Sequence, residues 1–146
     1  MVILLLIRGL PGAGRSTLAE SIGWPTFEAD TFFSGRDFDH TLLPTAHLLC
    51  QMAVRASLEN GRDTIVSNTL TTDWEVAQYE SIAKRVGATL FSVVAENRHG
   101  SSPTRDIPLK TIDTMERKLR GSLKLNFSAN KFQKVVDRLR RIDEDT

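Results

Sequence analysis

The chain has 146 residues, of which 40% are hydrophobic and 25% charged, with 19 Lys/Arg against 18 Asp/Glu. That is enough bulk for one domain, residues 1–146, with a substantial core and the composition of an ordinary soluble protein. The only long apolar run is Val2–Ile7, far short of a helical membrane span, and the lone Cys50 excludes an internal disulfide framework or a cysteine metal cluster. No basic leader precedes the run at Met1, so cytoplasmic residence is the expectation.

Charge is unevenly spread. Residues 1–97 hold 7 Lys/Arg against 11 Asp/Glu, whereas residues 98–141 hold 12 against 4. A basic C-terminal third suits a polyphosphate or nucleic-acid partner; solvated helix faces account for it equally well.

In chain order, Val2–Ile7 reads as a strand buried on both faces, the signature of a parallel sheet. It runs into Arg8 and then Gly9-Leu10-Pro11-Gly12-Ala13-Gly14-Arg15-Ser16-Thr17. Strand, glycine-rich turn and helix in that order are what a phosphate-binding P-loop requires. The glycines let the backbone approach a ligand where a Cβ would clash. Backbone N–H groups and the helix start near Arg15 supply positive potential, and Ser16 is placed to offer a hydroxyl to Mg²⁺. Arg15 stands where the usual pattern has lysine. It keeps the charge on a longer, planar fork.

A helix is expected over residues 15–22, with Leu18, Ala19 and Ile22 on the sheet, stopped by Gly23 and Pro25. Residues 26–29 read as a second strand delivering Asp30 at its C-terminal end, where open parallel sheets bind ligands. Phe32 and Phe33 read as packing residues, and residues 34–41 as a polar loop. A helix over 44–60 closes at Gly61, with Leu48, Leu49, Met52, Ala53, Ala56 and Leu58 as its apolar members. His47 and Cys50 share one face, without further ligands for a metal.

Residues 64–66 form the third strand, ending in Ser67-Asn68-Thr69 with no acid, although such strand ends often carry one for Mg²⁺. A helix over 73–86, with Trp74, Val76, Ala77, Ile82 and Ala83 as its apolar members, ends at Gly87. A fourth strand spans 88–94. Alternating strands and helices imply βαβ units. Residues 97–107, with Arg98, His99 and Arg105, have loop composition and read as a basic lid. A helix from Pro108 buries Leu109, Ile112, Met115, Leu119 and Leu123, and a last helix spans about 129–142.

The strand ends thus converge on a P-loop, Asp30, a Ser/Asn/Thr cluster and a basic loop, a phosphoryl-transfer site in outline. Asp30 is the candidate base for an attacking hydroxyl. A loop-starting Asp or helix cap is the plainer reading.

At this point the chain resembles the small P-loop kinases around the phage polynucleotide 5′-hydroxyl kinase, and their short stand-alone ATP-binding relatives. The resemblance rests on Gly9–Thr17, then Ala29-Asp30-Thr31-Phe32-Phe33 and Ala46-His47-Leu48-Leu49-Cys50. It continues through Ser67-Asn68-Thr69-Leu70-Thr71-Thr72-Asp73-Trp74-Glu75 and Asn97-Arg98-His99-Gly100, with Ile112 and Met115, in order over roughly residues 3–120. It implies a four-stranded parallel sheet flanked by helices, a P-loop NTPase fold of nucleotide-kinase type, with a lid and C-terminal helices. It implies ATP or another NTP as phosphate donor, with Mg²⁺. Gly9, Pro11, Gly12, Ala13, Gly14, Arg15, Ser16 and Thr17 would bind the nucleotide, together with Arg98 and Arg105. Asp30 would activate the acceptor hydroxyl, Asn68 and Thr69 would contact the acceptor, and Arg15 and Arg98 would act in catalysis.

The chain departs from that pattern at Arg15, at Ser67 and Asn68, and in extra residues between Gly100 and Pro108. The main expectation is ATP-dependent transfer to a hydroxyl on a nucleic-acid end, a hydroxymethylated base or a nucleoside-like small molecule, and the departures motivate the alternative. The alternative is a weakened or inactive nucleotide- or nucleic-acid-binding protein. An ATPase coupled to a partner is a third reading, against which stands the lack of a Glu or Gln at the third strand's end to position water.

Overall fold

The computed structural model describes residues 1–103, 106–126 and 137–142. Its sheet has four parallel strands in the order β2-β3-β1-β4. They are β1 Ile3–Arg8, β2 Thr26–Phe27, β3 Thr64–Ser67 and β4 Thr89–Val94. The helices are α1 Arg15–Ile22, α2 Leu43–Glu59, α3 Asp73–Val86 and α4 Leu109–Asn126. Residues 137–142 are also helical; residues 129–136 of the expected last helix lie outside the described residues.

Local chemistry sets the helix ends. Gly23 and Gly87 close α1 and α3 in the left-handed region (φ 81° and 73°), where a Cβ would be strained. Thr72 and Glu75 form a reciprocal capping box at the start of α3. Asp73 and Glu75 in its first turn and Lys84 and Arg85 in its last complement the helix dipole.

β1 is one of the two inner strands, and its Leu4, Leu6 and Ile7 are fully buried. Ile7 and Ile65 pack with Ala19 of α1 on one sheet face. Leu4, Leu6 and Val66 pack with Val54 of α2 and Tyr79 of α3 on the other. The chain leaves β1 toward one face and β3 toward the other, so a crevice opens between their C-terminal ends, where ligands bind in such sheets. Ile7 and Ser67 are register partners at that crevice.

The structure corrects the sequence reading in three places. β2 stops at Phe27, and Asp30 lies in a 3-10 helix, Ala29–Phe33, because the Asn68 side chain takes the Ala29 N–H (2.9 Å) that a longer strand would pair. Leu18, Leu48, Leu49, Met52, Trp74 and Leu109 are exposed rather than packed. The stripe of α2 that is buried runs instead through Ala46, Cys50, Val54, Ser57 and Leu58. The polar loop before α2 contains a second 3-10 turn, His40–Leu42, whose start is capped by Asp39.

Candidate functional site

The turn after β1 brings Gly12 and Gly14 into the left-handed region (φ 82° and 94°). Gly14 is the N-cap of α1, so among the described residues no side chain caps the first turn of that helix. An uncapped helix start with no acid in its first turn is an anion site in waiting.

Arg15 opens α1. Its Nε is buried and, among the described residues, has no hydrogen-bond partner. Burial pulls its guanidinium below the usual arginine value, and the nearby carboxylates of Glu28 and Asp30 oppose that shift. The group stays cationic, carrying a desolvated donor that lacks an acceptor. Next to it, the Ser16 hydroxyl donates to Glu28 Oε1 at 2.8 Å. The structure thus gathers Arg15, Ser16, Glu28 and Asp30 between the start of α1 and the end of β2. Sequence reasoning missed Glu28. Its signal was an acid two residues before Asp30.

Behind this group, Asn68 is 6% exposed. Its Oδ1 accepts from Ala29, while its Nδ2 donates to Tyr79 OH (3.4 Å) and faces Cys50 Sγ (3.8 Å). An amide spent this way holds the turn carrying Asp30 from behind. Thr69 is half-buried, and its carbonyl accepts from Gly9 N (3.3 Å), tying the β3 end to the loop. Ser67 Oγ is buried and, among the described residues, unpartnered.

Arg8 sits below the loop, 1% exposed. Its Nε donates to Leu70 O and its Nη2 to Ser122 Oγ, both at 2.8 Å, and Ser122 Oγ donates to Asp73 Oδ1 at 2.7 Å. Burial lowers the Arg8 pKa, opposed by Asp73 and Glu75. Leu70 is held at φ 45°, an unusual backbone for leucine, by these contacts and by its burial.

The segment after β4 roofs the loop. A Cβ on Gly12 would fall 2.6 Å from Pro103 N, and one on Gly14 would fall 2.7 Å from His99 Cε1. Asn97, at φ 62°, closes the roof by donating to Ser101 O and accepting from Ser101 N. Arg98 is exposed and ion-paired with Glu96, so His99 is the residue against Gly14. Arg105 lies outside the described residues. A groove of about 560 Å³, lined by Gly14, Thr17, Ser21, Arg98 and His99, opens on the α1 side. A second of about 760 Å³ lies between β4, α3 and α4 and reaches Pro11 and Ala13.

These residues fit a nucleotide phosphate: a glycine cradle, an open helix start and an orphaned arginine donor. Ser16 and Glu28 together fit a hard divalent cation, which takes oxygen ligands and retains water. No described helix is long and apolar enough to cross a membrane.

No protein-family model matches the chain. Solved structures do. A chain of the Pnkp1/Rnl/Hen1 RNA repair complex superposes with a TM-score of 0.69 at 17% identity, covering 84% of this chain and 45% of that one. A provisionally assigned kinase of Chloroflexus aurantiacus gives 0.56 at 17% identity, covering 64% and 58%. The APS kinase CysC of Mycobacterium tuberculosis, as its Cys556Ala mutant, gives 0.53 at 15% identity, covering 84% and 97%. The chain spans about half the length of the first two. At these identities the likeness shows the fold alone: a four-stranded parallel α/β sheet flanked by helices, the architecture these kinases share.

Proposed function

We propose that the chain is a P-loop phosphotransferase that moves the γ-phosphate of ATP, or another NTP, to a hydroxyl acceptor. The carrying observation is Arg15, whose buried Nε has no partner among the described residues, within electrostatic reach of Asp30 at the uncapped start of α1. The donor's phosphates lie in the Gly9–Thr17 loop, where Arg15 meets their charge. Asp30 accepts the proton of the acceptor hydroxyl as its oxygen bonds to the γ-phosphorus. The bond to the β–γ bridging oxygen breaks, and the nucleoside diphosphate leaves. Ser16 would help hold Mg²⁺, which would supply charge neutralisation on the phosphates. Thr69 lies on the acceptor side, and Arg98 belongs to the lid. Asn68 acts by positioning the Asp30 turn.

The acceptor is a polynucleotide 5′-hydroxyl or a nucleoside hydroxyl. The motif order around Asp30 and the β3 end supports this class, as does the likeness to a chain of an RNA repair complex. The test is transfer of labelled γ-phosphate with Mg²⁺ to 5′-hydroxyl DNA, 5′-hydroxyl RNA, modified-base DNA, nucleosides and nucleoside monophosphates. One acceptor becomes labelled, and Asp30→Asn lowers its rate by about 10²-fold or more, the usual worth of a general base. Full activity in Asp30→Asn removes the base assignment.

A second reading, nucleotide binding without transfer, draws on Arg15 and on Ser67 at the β3 end. It predicts saturable ATP binding with every acceptor silent, for the wild-type chain and for Arg15→Lys alike. Signal from Arg15→Lys alone marks a kinase disabled at its loop.

A further inference from the structure

The third strand's end carries Ser67, where a carboxylate would complete a cation's surroundings. We propose that Glu28 supplies that carboxylate from the neighbouring strand, forming with Ser16 the Mg²⁺-side site of the nucleotide complex. This rests on the phosphotransferase reading for the nucleotide, but it is a separate statement about where the metal's oxygen ligands come from.

The geometry carries it. Glu28 Oε1 accepts from Ser16 Oγ at 2.8 Å, so both oxygens already face one small volume beside the start of α1. Ser16 is the residue after Arg15, and an ion placed between Ser16 and Glu28 lies next to phosphates bound by the loop. Magnesium takes one or two protein oxygens, substrate phosphate oxygens and several waters, so Ser16 and Glu28 suffice as the protein's share.

An independent observation comes from the other side of the crevice. Ser67 is 2% exposed, and its Oγ has no partner among the described residues. Ile65, two residues earlier, packs on Ala19 of α1, and Ile7, the register partner of Ser67, lies in the same cluster. Strand side chains alternate, so Ser67 projects on the α1 face at the C-terminal end of β3. A buried hydroxyl there, without a partner among the described residues, is suited to an ordered water of the ion's shell. The acid of this crevice thus comes from Glu28, just after β2, and the end of β3 contributes the Ser67 hydroxyl.

Without metal, the Ser16–Glu28 bond keeps the carboxylate in place, but it also puts negative charge beside the phosphate loop. ATP binding is therefore opposed by Glu28 in the absence of metal and assisted by it in the presence of metal. The Glu28 and Asp30 carboxylates both favour the charged form of Arg15 against its burial.

The test uses the whole chain with Mn²⁺ as the probe, free Mn²⁺ being read by its paramagnetic resonance, and ATP affinity measured in EDTA and in Mg²⁺. Glu28→Gln keeps an acceptor for Ser16 and removes the charge. We expect Mn²⁺ binding to the ATP complex to weaken by tenfold or more in Glu28→Gln, while ATP affinity in EDTA stays equal or rises. Glu28→Gln/Ser67→Asp, which returns an acid to the β3 end, recovers most of the Mn²⁺ affinity. Unchanged Mn²⁺ affinity in Glu28→Gln overturns the proposal and leaves Glu28 as a partner of Ser16 only. ATP binding by the wild-type chain that is indifferent to metal overturns it too, without touching nucleotide binding. A wild-type chain that binds no ATP at all overturns the phosphotransferase reading first, and this inference with it.

Discussion

Arg8 is the charged group whose loss the fold should feel most. It is 1% exposed at the end of β1, and it reaches two elements at once: Leu70 O after β3 and Ser122 Oγ on α4. Arg8→Met keeps the length and removes both hydrogen bonds. A hydrogen bond from a charged donor contributes about 1.5–3 kcal/mol, so the two together are worth roughly 3–6 kcal/mol. Against this stands the release of a buried cation, which recovers part of that sum. Where one partner of such a network is removed and the others stay, the net cost is about 3–5 kcal/mol. The low end applies here, because Asp73, at the far end of the chain of bonds, is exposed and regains water. The expected loss is about 3 kcal/mol, which for a protein near this size lowers Tm by roughly 6–12 °C. Denaturant melts of wild-type, Arg8→Met and Arg8→Met/Ser122→Ala measure it. The double variant should recover part of the loss, since an apolar pair leaves fewer orphaned groups. A single variant within about 1 kcal/mol of wild type would refute the reasoning, because water or repacking would then be doing what Arg8 does.

The other expectations concern the loop, its roof and the core. Arg15→Ala should weaken ATP binding by about 10- to 100-fold, the worth of one charge-assisted contact of about 1.5–3 kcal/mol, and calorimetric titration reads it directly. Gly12→Ala meets both a positive φ of 82° and Pro103 N at 2.6 Å. It should cost about 1–3 kcal/mol and expose residues 98–103 to proteolysis, whereas an unchanged digestion pattern would mean that the roof does not rest on the loop. Burial pushes the Cys50 thiol and the Tyr79 phenol above their ordinary values of 9.0 and 10.0. The unfolded chain therefore releases these protons first, so their contribution to stability is complete below about pH 9 and is lost as pH rises past 9 and 10 toward the folded values. Midpoints of denaturation between about pH 7 and 10.5 should fall at the alkaline end, and less steeply in Tyr79→Phe.

Much of the scaffold was legible because its signals are local. The bounds expected for α1 and α3 are those observed, since Gly23, Gly87 and the Thr72/Glu75 box act within one turn. β1 was legible as an apolar run with no polar face. The site was less so, because its decisive contacts join residues far apart in sequence. Asn68 truncates β2 by taking the Ala29 N–H across 39 residues. Arg8 finds Ser122 across 114. Glu28 reads as an ordinary exposed strand acid until the chain folds it onto Ser16. His99 lies against Gly14, while Arg98, beside it in the same groove, pairs with Glu96, and neither contact is visible in residue types alone. Leu109 reads as buried from its spacing to Ile112 and Met115, and Trp74 as an apolar member of its helix, yet both lie in first turns and are exposed.

The central claim is that the loop of residues 9–17 is a phosphate cradle, and competition at a single ATP site tests it most directly. Labelled ATP should bind the chain saturably, one per chain. ADP and inorganic pyrophosphate should displace it, adenosine should displace it poorly, and Arg15→Ala should lower its affinity. Displacement by adenosine as effective as that by ADP, or binding indifferent to Arg15, would contradict the account, because recognition would then lie in the base and not in the loop.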